Sequence, residues 1–227
     1  MGINKKRIAE RQKAAQQAKK QEKNKRIVKW TLIIVAVVAV IFGTIALLVS
    51  LGNKGKDDSA ASKVYYADIV VKDYGKIVVE LDGNAAPITV ENFVKLAKSG
   101  FYDGLTFHRI IKGFMMQGGD PDGNGKGGSG TEIKGEFNAN GWMNPLSHLR
   151  GTISMARADD PNSASSQFFI VHQDSTYLDG SYAAFGKVIE GIEIVDMVCN
   201  DAVPTDDNGT IMKEDQPIIE SIRIREK

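Results

Sequence analysis

Hydrophobic positions along this chain take two arrangements, one unbroken block followed by a series of short patterned runs. The block is Trp30–Leu51, 22 residues without a charge and relieved only by the hydroxyls of Thr31, Thr44 and Ser50. A helix of that length reaches about 33 Å, enough for a hydrocarbon core of ~30 Å. It is apolar on every side, unlike the striped helix of a water-soluble fold. Beyond it, Ile69-Val70-Val71 and Ile77-Val78-Val79 sit in the segments Tyr66–Lys72 and Lys76–Leu81, joined across Asp73-Tyr74-Gly75. That predicts an antiparallel hairpin. The period then lengthens: Val90, Phe93, Val94 and Ala97 fall at helical spacing, with Pro87 and Thr89 to open the helix and Gly100 to stop it. Short strands separated by glycine turns are predicted at Phe107–Ile111, Gly151–Ala156 and Gln167–His172, a second helix at Ile192–Val198, and a last alternating strand at Pro217–Arg225. Many short strands with two helices predict a mainly β domain, a closed antiparallel barrel.

Charge divides the chain where hydropathy does. Residues 1–29 hold eleven Lys/Arg and two acids, Glu10 and Glu22, leaving 18 bases against 26 acids in the remainder, although the whole chain is only +1. A basic tail on an acidic domain favours an anionic partner at one end only, and the domain itself is not a nucleic-acid binder. The tail is rich in Ala, Gln, Lys and Glu and cannot build a core. It reads as a solvated segment, as one drawn to anionic lipid head groups at roughly 1 kcal/mol per basic residue, which overlaps the first reading, or as a nucleic-acid arm. Trp30 marks the interface, and eleven bases before the block against Lys54 and Lys56 directly after it place the N-terminus in the cytoplasm. A cleaved signal peptide is the rival reading, but its apolar core is usually shorter and Leu-Val-Ser-Leu-Gly-Asn is a weak cleavage site. The expected layout is therefore a cytoplasmic tail (1–29), a single transmembrane helix (30–51), a small polar linker (52–63) and an extracytoplasmic domain (64–227), monomeric and held at the cell membrane.

Candidate chemistry concentrates in residues 107–128. They begin as a strand with Arg109 among apolar neighbours, set Phe114, Met115 and Gln117 close together, and pass into a glycine-rich loop. Familiar alternatives fail there. Asp120-x-Asp122-x-Asn124-Gly125 starts like a calcium loop, yet position 12 is Thr131 and Glu132 comes one residue late. Gly125-Lys126-Gly127 lacks the order of a phosphate loop. Ser163, Ser165 and Ser166 lack a nucleophile elbow. His108, His148 and His172 have no metal-ligand spacing. Cys199 is alone, in a helix-like apolar stretch, and reads as a small buried hydrophobe.

With two later stretches, Ser154–Ile170 and Tyr177–Gly191, residues 107–128 resemble the cyclophilin family of peptidyl-prolyl cis/trans isomerases, a resemblance running from about Tyr66 to the C-terminus. It implies an eight-stranded antiparallel barrel capped by two helices, acting on proline-containing polypeptides as they fold, with no metal or cofactor. It makes Arg109 the catalytic arginine, oriented by Gln117, and Phe114, Met115, Phe169 and Leu178 the proline pocket. Ala156 and Arg157 would pair with the peptide, chiefly by backbone, and Gly125 and Gln167 would surround the residue preceding proline. Three positions depart from the family pattern: Tyr177 replaces a frequent Trp, Tyr182 a rim His, and Arg157 a common Asn. The loss of an indole donor at 177 implies weaker binding of the inhibitor cyclosporin with isomerase activity kept. A module that binds proline segments without turnover is the alternative from a different functional class.

Overall fold

The computed structural model describes residues 64–226. The tail, the hydrophobic block and the linker expected at 1–63 lie outside the described residues, and among the described residues no helix is long and apolar enough to cross a membrane. Eight strands and two helices follow in the order β1 (Tyr65–Val71), β2 (Gly75–Leu81), α1 (Pro87–Lys98), β3 (Thr106–Ile111), β4 (Met115–Asp120), β5 (Thr152–Met155), β6 (Phe168–Val171), β7 (Ala184–Glu190), α2 (Ile192–Asp201) and β8 (Ile219–Glu226). They form one antiparallel sheet in the order β3-β4-β6-β5-β7-β2-β1-β8.

The predicted hairpin is β1–β2, in register from Tyr65↔Leu81 to Val71↔Gly75. Helix α1 buries Thr89, Val90, Phe93, Val94 and Ala97, the face its periodicity gives. Helix α2 continues three residues beyond its predicted end and turns Ile194, Val195, Val198 and Cys199 inward. Burial in apolar surroundings pushes the Cys199 thiol up to about 12, so it packs as a hydrophobe rather than reacting as a thiolate. The expected closed barrel is a curled sheet whose edge strands, β3 and β8, meet over a short seam rather than a full ladder. Thr106 bridges Ile218, and Gly104 N–H donates to Ile219 O, Ile219 N–H to Leu105 O and Phe107 N–H to Pro217 O at 2.7–2.9 Å.

Two strands escape the hydrophobic pattern. β4 reads Met-Met-Gln-Gly-Gly-Asp, and its glycines answer to crowding. A Cβ on Gly119 would stand 2.7 Å from Ser166 O and 3.1 Å from both the Phe168 and Tyr102 rings, at a φ of +81°. β7 lies inside the Tyr177–Gly191 stretch, and its burial is too continuous at the start for alternation to announce it. β5 ends at Met155, one residue short of expectation, although Ala156 N–H still donates in register to Gln167 O of the neighbouring segment at 3.0 Å.

An aromatic knot fills the interior. Phe93 of α1 meets Tyr102, Phe168 and Phe185 with ring centroids 5.2–5.4 Å apart, and the Tyr102 hydroxyl donates to Ser166 O. The N-terminus of α1 carries no local side-chain cap. Glu136, fully buried and nearly fifty residues away, supplies it by accepting from Ile88 N–H (3.0 Å), Thr89 N–H (2.8 Å) and the Thr89 hydroxyl (2.7 Å). A carboxylate there meets both the free amides and the positive end of the helix dipole.

Candidate active site

On one face of the curled sheet, away from the aromatic knot, a second apolar cluster gathers Met115, Phe169 and Val171, with Ile111, Phe114, Ala156, Leu178 and Tyr182 packed on it. The pairing of β3, β4 and β6 creates it. Arg109 lies opposite Gln117, and Gln117 opposite Phe169, so three neighbouring strands present a guanidinium, an amide and an aromatic ring side by side. These line a hollow of about 190 Å³ together with Phe114, Met115, Ala156, Arg157, Leu178 and Tyr182. A second hollow of about 590 Å³ adjoins it, sharing Gln117, Ala156 and Arg157 and extending along Gly125–Gly128 to Gln167.

Arg109 is half-buried and held at three points. Its Nε donates to Asn208 O at 2.7 Å, and one Nη donates to Gln117 Oε1 at 3.2 Å and lies 3.9 Å from Met115 Sδ. Burial lowers its pKa from the ordinary arginine value, with Tyr182, Asp206 and Tyr177 opposing. An arginine remains charged throughout any ordinary pH range. Gln117 passes the orientation on: its Nε2 donates to Gln167 Oε1 (2.9 Å), and Gln167 Nε2 donates to Gly127 O (2.8 Å). Each amide in this series is fixed in one sense, because a flip would set donor against donor.

The residues expected from sequence come together in this cleft with graded roles. Arg109, Phe114, Met115, Gln117, Ala156, Arg157, Phe169, Leu178 and Tyr182 border the smaller hollow, and Gly125 and Gln167 the larger. Tyr177 lines neither. It stands at the rim, 71% exposed, with its ring 5.8 Å from that of Phe114. The Arg157 side chain is committed to structure: its guanidinium lies over the Tyr182 ring at 4.8 Å and the Phe137 ring at 5.2 Å and donates to the carbonyls of Ser181 and Ala158. Such cation–π contact fixes the Tyr182 wall.

Two supporting groups were not singled out from sequence. Asn208 acts through its main-chain oxygen, which no side-chain pattern reveals. Its placement depends on Gly209, where a Cβ would collide with Ile111 Cγ1 and come within 2.7 Å of Ile110 O at a φ of +85°. The Asp-Asn-Gly turn signal at 207–209 was the available clue. His148 lies under the cleft floor, its ring stacked 6.0 Å from Phe169. Nδ1 faces Asp179 at 2.8 Å and Nε2 faces the Ser154 hydroxyl at 3.0 Å. Burial lowers its pKa despite the carboxylate, so the ring is held as a neutral spacer. Among the described residues no cluster of His, Cys, Asp or Glu could hold a metal ion.

Chemically, the cleft offers one fixed cation beside a small apolar recess, with main-chain and amide groups along an extended groove. The Ser154–His148–Asp179 series has the spacing of a nucleophile and its base, but Ser154 and His148 are fully buried beneath Phe169, so it presents no nucleophile to the cleft.

Comparison with known proteins agrees. Residues 66–225 match the family model for cyclophilin type peptidyl-prolyl cis-trans isomerase/CLD. The chain is 47% identical over 145 residues to peptidyl-prolyl cis-trans isomerase B of Bacillus subtilis, covering 64% of this chain and 92% of that one. It is 46% identical over 139 residues to a peptidyl-prolyl cis-trans isomerase of Helicobacter pylori, covering 60% and 82%. A crystal structure of a Cryptosporidium parvum cyclophilin type peptidyl-prolyl cis-trans isomerase, in the presence of the dipeptide Ala-Pro, superposes with a TM-score of 0.63 at 35% identity, over 71% of this chain and 99% of that one.

Proposed function

The chain belongs to the cyclophilin-type peptidyl-prolyl cis-trans isomerases and is an enzyme of that class, and from this premise we propose that it lowers the rotation barrier by aiming Arg109 at the prolyl nitrogen of a bound Xaa-Pro bond. That barrier, ~18–20 kcal/mol, is amide resonance. A twisted amide has lost it, and its nitrogen carries a localised lone pair. In the planar ground state that lone pair is delocalised, so a donor there is worth more to the twisted state than to either isomer. The proline ring occupies the 190 Å³ hollow over Met115 and Phe169, where water is excluded from competing for the guanidinium. Gln117 holds Arg109 in line and offers its amide to the peptide. Ala156 N–H is already used by Gln167 O, so main-chain pairing with the peptide falls to the remaining polar groups of 156–157. The residue preceding proline lies toward Gly125 and Gln167.

The observation that carries this reading is the triple hold on Arg109 at the mouth of an apolar recess of proline size. The test is the isomerisation rate of a proline peptide with the full chain and with Arg109→Ala. Turnover should fall tenfold or more, about 1.4 kcal/mol of barrier. A folded parent with no turnover, or a variant as fast as the parent, would sink it; proline peptide still bound without turnover would point to a binding module.

The same reading extends to location. The uncharged run Trp30–Leu51 and the eleven bases before it support a single-pass anchor with the isomerase domain outside the cytoplasmic membrane, serving polypeptides that fold there. Protease added to intact cells should remove the domain and spare the tail. Full protection of the domain would reverse the orientation.

A further inference from the structure

Phe114, one wall of the recess, is carried by the tight turn between β3 and β4, closed by Phe114 N–H donating to Ile111 O at 2.9 Å. Beyond the turn stands His172, the residue after β6, buried to 5% exposure. It grips the turn twice. Its own N–H donates to Phe114 O at 2.8 Å, and its ring Nδ1 accepts from Gly113 N–H at 2.9 Å. A ring nitrogen that accepts carries no proton, so the imidazole proton sits on Nε2, 3.2 Å from Asp196 Oδ1 of α2. Asp196 is in turn clasped by both Nη atoms of Arg150 at 2.6 and 2.7 Å, and the same guanidinium donates to His172 O at 2.8 Å.

We propose that His172 is a positioning residue for the isomerase reaction, with its neutral Nδ1 holding the Gly113–Phe114 turn so that Phe114 closes the proline recess. The inference rests on the recess reading above. Protonation at Nδ1 would put N–H against the Gly113 N–H and expel the turn's anchor. The groups facing the ring decide how readily that happens. Asp196, on α2, favours the cation, but it is already engaged by Arg150. Lys112 of the turn and Arg150 oppose a second positive charge, and Asp174 faces away, accepting from Arg150 N–H at 2.8 Å. Burial is the largest influence and holds the ring below the ordinary histidine value. The ring is therefore neutral at neutral pH, and the grip loosens only in acid.

Substitution separates positioning from mere packing. His172→Asn keeps an oxygen acceptor where Nδ1 lies and cannot titrate. His172→Gln reaches instead toward the Nε2 position and leaves Gly113 N–H unpaired. With the full chain and a proline peptide at about pH 7.5, H172Q should raise KM on the order of fivefold with kcat little changed, as the loss of one hydrogen bond implies. H172N should stay within about twofold of the parent and lose the His172 part of the parent's acid decline. In the parent, the Gly113 amide resonance should follow an imidazole titration with a midpoint below 6.5, the ordinary histidine value. Equal kinetics for H172N and H172Q, an unaltered acid decline in H172N, or a Gly113 amide indifferent to the imidazole would each overturn the proposal. Failure of the recess reading is recognised separately, by Arg109→Ala retaining full activity, and the Gly113 amide decides the matter even if the variants do not fold.

Discussion

Arg109 can serve as a fixed cation only because its neighbours leave it little else to do. Its Nε is taken by Asn208 O, and a fork nitrogen by Gln117, so the remaining donors face the recess without a rotamer search. The rim is less tightly held. Tyr177 packs its ring against Phe114 and is mostly exposed, and it carries a phenol in place of an indole donor. Tyr177→Trp is expected to tighten cyclosporin binding about tenfold, the worth of one regained hydrogen bond, with peptide turnover within about twofold of the parent. Titration calorimetry beside a rate assay checks both halves. Unchanged inhibitor affinity would mean that Tyr177 is not the limiting contact. The residues that line the recess were legible in the sequence because they lie in the motifs that carry the cyclophilin resemblance. Asn208 and His148 were not, since one acts through a main-chain oxygen and the other from beneath Phe169. Arg157 was half legible: its position on the cleft was apparent, but its stacking between Phe137 and Tyr182 needs three segments brought together.

Elements with one buried face declared themselves. Helix α1 and the β1–β2 hairpin follow periodicity because each packs one side on the core. β4 did not, because close approach of Tyr102 and Phe168 demands glycine where a strand normally advertises Val or Ile. The cap of α1 was likewise invisible, being supplied by Glu136 from 47 residues beyond Thr89. That cap should be the most sensitive polar contact of the element. Glu136→Gln retains one oxygen for two amides and a hydroxyl, and introduces an NH₂ toward donors. It is expected to lower unfolding stability by about 1–3 kcal/mol, read as a shifted midpoint in urea at unchanged slope. A variant within about 0.5 kcal/mol of the parent would show that water replaces the carboxylate without loss.

Across the whole domain, the histidines and ion-paired aspartates that titrate on the acid side of neutrality lean one way. Burial depresses His108, His148 and His172, and the folded state prefers all three neutral. Their contribution is therefore complete above the unfolded histidine value of about 6.5 and is lost as pH falls. Arg225, Arg223 and Arg150 hold Asp68, Asp103 and Asp196 below the ordinary carboxylate range, adding stability that is lost in stronger acid. The two groups act in succession with the same sign, so Tm should be level from about pH 8 to 7 and decline continuously towards about pH 4. A Tm that rises between pH 6 and 5, roughly where histidine gains its proton, would contradict the assignment. The order of strands in the sheet bears on time as well as stability. β1, the first strand, has β2 on one side and β8 on the other, and Tyr65 lies opposite Glu226. During synthesis the outer edge of β1 thus stays open until β8 has emerged, and the seam that seats β3, with Arg109 on it, also waits for Pro217–Ile219. A ribosome thus delivers this domain unfinished until β8 is made, and the strand that carries Arg109 is seated only after it.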